Sequence, residues 1–155
     1  MRLDNKLEGC CGKVEKLRIK LLEKEMEIRF PRSFINFIEN CDGGVPVACD
    51  FQYIDIFYSR NRIECIGSFL SLNFTRDNNL YSFWQTPSEF FPVGLIAFAE
   101  NGGGDYICFD YRQGKDNLNP PIVYWNHEAN IGKDVSFVAN NFEEFLGMLK
   151  HPKEE

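Results

Sequence analysis

Histidine, net positive charge and long apolar runs are what this sequence has least of. No stretch of its 155 residues approaches the roughly 18 consecutive apolar side chains that cross a bilayer, which excludes a transmembrane helix. The two histidines, His127 and His151, and the six cysteines offer no Cys-x-x-Cys pair and no zinc spacing, so no metal site is expected. Lys and Arg number 17 against 23 Asp and Glu, a net charge of −6. That balance argues against nucleic-acid binding, whose affinity rests on cations facing phosphates, and makes a basic protein partner electrostatically easier. No secretory signal is expected, since no hydrophobic stretch precedes Cys10 and the charged Asp4 and Glu8 lie where one would be. The expectation is therefore a cytosolic protein with reduced, mostly buried thiols.

What is present fits one globular unit. Apolar residues make up 44% and charged residues 26% of the chain, with no internal repeat or low-complexity segment. A flexible leader is expected over residues 1–12, carrying Cys10 and Cys11, then a domain over 13–150 and a frayed tail over 151–155. Val14, Leu17, Leu21 and Leu22 predict an amphipathic helix over 13–25. Pro31 opens a second helix with Phe34, Ile35, Phe37 and Ile38 as its apolar stripe and Gly43-Gly44 as its stop. Strands are expected at Phe51–Tyr58 with Asp55 pointing outward, at Val93–Ala99, at Tyr106–Tyr111 and at Ile122–Trp125. The state of "RIECIGSFLSL" is left open by its periodicity. A final helix follows Asn140 and Glu143, which form a capping-box pattern ahead of Phe142, Phe145, Leu146 and Leu149. This order gives an α+β fold: a mainly antiparallel sheet of about four to six strands, two N-terminal helices and a C-terminal helix.

The run Asn101-Gly-Gly-Gly-Asp105 is the one stretch that suggests a nucleotide loop. No Lys follows it and the next element is a strand, so it is a hairpin turn. Asp105 and Asp110 lack the ligand spacing of an EF-hand. A thiol nucleophile at Cys108 or Cys65 with His127 as base and Glu128 behind it has no local signature, and Cys108 reads as a buried strand residue. Glu100 and Asp105 as a carboxylate pair would need a cleft. No catalytic residue, cofactor or metal is assigned.

Several segments together resemble the SUKH superfamily, also called the Smi/Knr family. The carriers are the helix pair closing on Phe30-Pro31, then "FINFIENCDGG", "GLIAFAENGGGDYICFDY", "VYWNHE" and "FEEFLGML", in that order across residues 14–149. Phe30, Cys41-Asp42 and Asn126 depart from the usual residues at their positions. The resemblance implies a non-enzymatic domain that binds other proteins. Bacterial members are immunity proteins that block a cognate toxin, often a nuclease or deaminase, while fungal members are scaffolds in cell-wall synthesis and signalling; both roles stay open here.

Toxins acting on nucleic acid carry basic clefts, so acids would steer association and aromatic side chains would anchor it. The candidate partner-binding residues are Glu100, Asp105 and Asp116 in turns, with Phe83, Trp84 and Phe90 in the aromatic stretch 73–92. That stretch reads as a long ordered loop whose aromatics either fill the core or form a recognition surface.

Overall fold

A core rich in phenylalanine lies between three helices and one face of an antiparallel sheet. The computed structural model of the chain describes residues 6–152. In order the elements are β1 (Leu7–Glu8), α1 (Lys16–Met26), α2 (Arg32–Ile38), β2 (Val45–Pro46), β3 (Asp50–Asp55), β4 (Arg60–Cys65) and β5 (Ser68–Phe69). They continue with α3 (Leu80–Gln85), β6 (Leu95–Glu100), β7 (Tyr106–Asp110), β8 (Ile122–Trp125), β9 (Val135–Ala139) and α4 (Phe142–Met148). The main sheet runs β5-β6-β7-β8-β9, every neighbour antiparallel. The β3–β4 hairpin packs against β9 and widens that surface, with the Ile56 N–H donating to Ser136 Oγ at 3.1 Å. The expected α+β class and the hairpin across the glycine turn both stand.

Strand alternation sorts side chains onto two unlike faces. Ile107, Phe109 and Tyr124 face the helices, together with Phe51 and Tyr53 of the hairpin. Phe34 of α2 sits at the centre, its ring 5.0 Å from Phe109, 5.2 Å from Phe142 and 6.1 Å from Phe98, so one residue joins α2, β6, β7 and α4. The opposite face carries Tyr106, Val123, Trp125 and Phe137, and α3 with the chain after it covers only part of it.

Buried polar groups tie the segments together. Asp42, just after α2, accepts hydrogen bonds from Ser71 Oγ at 2.5 Å and the Leu72 N–H at 2.8 Å. The adjoining Gly43 has φ of 67°, and a side chain at Gly44 would meet Cys41 Sγ at 2.8 Å, which accounts for both glycines.

Several expectations are corrected. The buried stripe of α1 is Ile19, Leu22 and Met26, whereas Leu17 and Leu21 are exposed, because the 3.6-residue period starting from Leu22 selects 19 and 26. Asp55 points inward: the two-residue period puts it with Phe51 and Tyr53, and its carboxylate accepts the Phe57 and Tyr58 N–H groups that close the turn. The open stretch "RIECIGSFLSL" supplies β4 and β5, and β9 is an unforeseen strand. Residues 73–92 are not all loop, since Asn79 caps α3 by accepting from the Ser82 N–H at 2.8 Å. The N-cap of α4 is one residue later than expected: Asn141 accepts from the Glu144 N–H, and Glu144 reaches back to the Asn140 N–H.

The leader and the thiols also differ from expectation. Residues 1–5 of the leader and 153–155 of the tail lie outside the described residues. Leu7 and Glu8, however, pair with Pro46 and Val45, and the Cys11 N–H donates to the Asp42 carbonyl at 2.7 Å. Cys10 is bonded to Cys41 and Cys49 to Cys65, leaving Cys11 and Cys108 free. Spacing hid these pairs because strand register creates them: Cys49 precedes Asp50, whose partner across the hairpin is Cys65. Alkylation without reductant followed by peptide mapping should recover 10–41 and 49–65 linked, with Cys11 modified at once and Cys108 only in denaturant. Six modified thiols in the native, air-oxidised protein would contradict this pairing.

Candidate functional site

The residues singled out from sequence fall into three separate places. Phe83 and Trp84 are neighbours on α3 and point different ways. Phe83 turns inward, 4.1 Å from the Tyr106 ring and 4.9 Å from Phe91, and Phe91 in turn packs edge-on at 5.0 Å from Trp125. Trp84 stays partly open, stacked 5.9 Å from Tyr81, which lies 5.2 Å from Phe74. Trp84, Phe91, Pro87 and Val93 line a small pocket of about 170 Å³ over β6. Phe90 is 67% exposed with φ of 66°, a left-handed conformation that costs a bulky side chain energy. The segment is therefore both core and surface, divided residue by residue.

Glu100 and Asp105 flank the glycine turn but serve the fold. Glu100 accepts from Ser68 Oγ at 2.8 Å and from the Gly102 N–H. Asp105 accepts from Tyr124 Oη at 2.5 Å and the His127 N–H at 2.9 Å, and its Oδ1 is 2.6 Å from His127 Nδ1. Gly104, at φ of 102°, leaves room for that imidazole, which lies 2.9 Å from where a Cβ would stand. Asp116 is remote from both, exposed in the β7–β8 connection at the other end of β7. The three acids do not form one surface.

The cysteine and histidine considered for catalysis also lie apart in role. Cys108 is wholly buried in β7 and burial pushes its thiol well above the usual range, so it stays protonated. Cys65 is bonded to Cys49, and His127 is held by Asp105. Burial and hydrogen bonding to Asp105 likewise raise the Tyr124 phenol.

A further set of residues, missed in the sequence, makes an exposed apolar area on the sheet. Ile54 is 64% exposed, Ile63 58%, Phe137 55% and Ile56 41%. They share the face opposite the helices: Phe137 pairs with Val123, Gln52 with Ile63, and Tyr53 points the other way onto Tyr124. Together with Gln52, Asn61 and Met148 they line a groove of about 740 Å³. The available signal was a strand, "FQYIDIFY", apolar on both faces: once Phe51 and Tyr53 fill the core, Ile54 and Ile56 must face out.

The rim of the helix side holds a strained acid. Burial raises the Glu64 carboxyl above its usual range; Arg62, 3.3 Å away, opposes this, and nearby Asp105 adds to it. The folded state thus binds the proton more tightly than the unfolded chain, so stability is lost as pH rises through the raised value. Glu64→Gln should melt at higher temperature than the wild type at neutral pH, with the gain vanishing below the ordinary carboxylate value of 4.5. Equal melting temperatures at neutral pH would show that the Arg62 contact outweighs burial.

Comparison with known proteins gives these features a context. The SPbeta prophage-derived uncharacterized protein YokK of Bacillus subtilis (strain 168) is 39% identical over 73 residues, which cover 46% of this chain and 35% of that protein's own length. The SMI1/KNR4 family (SUKH-1) matches residues 13–148, from ahead of α1 to the end of α4, and the chain belongs to that family.

Proposed function

We propose that this protein is an immunity protein that neutralises a cognate toxin domain, of nuclease or deaminase type, by direct binding. The observation that carries the reading is the uncovered part of the sheet face around Phe137 and the β3–β4 hairpin. Ile54, Ile63 and Phe137 stand exposed in one area on strands that have no structural need to bear large apolar side chains outward. Family membership supports a protein-binding role over catalysis. The net charge of −6 favours encounter with a basic toxin cleft.

In this reading the apolar face supplies the buried anchor, and Phe90 and Trp84 on the α3 segment, which lies over the β6 end of the sheet, offer separate apolar contacts. Phe90 suits that role because its side chain is given to solvent at a cost in backbone strain. Phe83, Glu100 and Asp105 act indirectly, by holding the segment and the glycine turn in place. Asp116 contributes only to the long-range field.

The test uses toxin domains found encoded beside this gene, immobilised, with the protein in solution. Ile63→Asp and Phe137→Asp should each raise the dissociation rate by about tenfold or more, with circular dichroism unchanged because both side chains are exposed. Phe90→Ala should raise it less. Wild-type rates in all three folded variants would place the docking surface elsewhere. Failure of the wild type to bind any neighbouring toxin domain would favour the scaffold role of the fungal members.

A further inference from the structure

The helical side of the molecule carries a feature at odds with its acidic composition. A groove of about 900 Å³ runs between α1 and α2 and is closed on one side by Leu118 and Asn119 of the β7–β8 connection. Lys16, Lys20 and Lys24 line one wall, spaced four residues apart and so stacked along one face of α1. Arg29 and Arg32 stand at the junction with α2. Only two acids, Glu23 and Glu39, share the lining, and the Glu23 carboxylate is already taken by the Phe30 N–H at 2.8 Å.

None of the five cations makes an ion pair among the described residues. The row works against local stability where like charges four apart on a helix repel, although Glu15 at the N-cap and Lys24 in the last turn suit the dipole of α1. The floor is apolar, formed by Ile19, Ile28 and Ile35, and Leu118 is 60% exposed at the rim. Cations over an apolar floor are complementary to a chain that offers carboxylates and apolar side chains in alternation.

The geometry points to this groove as a docking site for an acidic, apolar-containing peptide segment of a protein partner. Nucleic acid fits it less well, since a phosphate backbone has little to place on the isoleucine floor, whereas the apolar side chains of a peptide cover it. The groove lies on the helix side of the sheet, away from Ile54, Ile63 and Phe137, so the inference does not rest on toxin docking at that face. One chain could engage two partners, or two parts of one, at the same time.

A fluorescein-labelled peptide of alternating Glu and Leu, read by fluorescence anisotropy with the full chain, tests this. A Lys/Leu peptide and a single-stranded DNA oligonucleotide of similar length serve as comparisons. The Glu/Leu peptide should bind, release with added salt, and lose about tenfold in affinity in the Lys20→Glu/Arg29→Glu double variant. The Lys20→Ala/Arg29→Ala variant should lose less and guards against misfolding of the reversal, with thermal melting confirming the fold of each. Affinity unchanged in folded variants, no preference over the Lys/Leu peptide, or tighter binding of the oligonucleotide would each overturn the proposal.

Discussion

The edge-on packing of Phe34 against Phe109 and Phe142, with Phe98 alongside, is the interaction on which the rest of the structure depends. It presses α2 and α4 onto one face of the sheet, and α1 follows through Ile19, Leu22 and Met26. Truncating a fully buried phenylalanine costs about 3–5 kcal/mol, so this junction accounts for a large share of a marginal stability. With all three longer helices committed to one side, only short α3 and the chain after it remain for the other. They cover Tyr106 and Trp125 and stop before Phe137. The exposed apolar face follows from how the helices are distributed.

The fold was largely legible in the sequence because its signals are local. Ile122–Trp125 and the glycine hairpin follow from residue type and the two-residue period, and the helix pair from Pro31 and the spacing around Phe34. What escaped depends on partners distant in the chain. β9 is short and polar at Ser136, and only pairing with β8 makes it a strand. The Cys10–Cys41 and Cys49–Cys65 bonds follow from β1 meeting β2 and β3 meeting β4, which spacing alone does not encode.

The candidate site was legible only in part, for a related reason. Aromatic density between 73 and 92 marked a segment of interest, yet Phe83, Trp84 and Phe91 are partly buried against the core while Phe90 faces solvent, a division set by what lies beneath. The acids were chosen by charge, but a carboxylate with satisfied hydrogen bonds, as Asp105 is, has little left for a partner. The stronger marker was apolar residues on both faces of β3. The basic groove was hidden by the net charge, which averages over surfaces of opposite sign.

Amide hydrogen exchange with and without a toxin domain that the protein is found to bind tests the proposed docking face most directly. The account predicts added protection in β3, β4 and β9 and around Phe90, where the uncovered sheet face would be buried, and unchanged exchange over the core strands β6 and β7. A complex that forms while β3, β4 and β9 exchange as in the free protein would contradict the claim that this face is the docking surface.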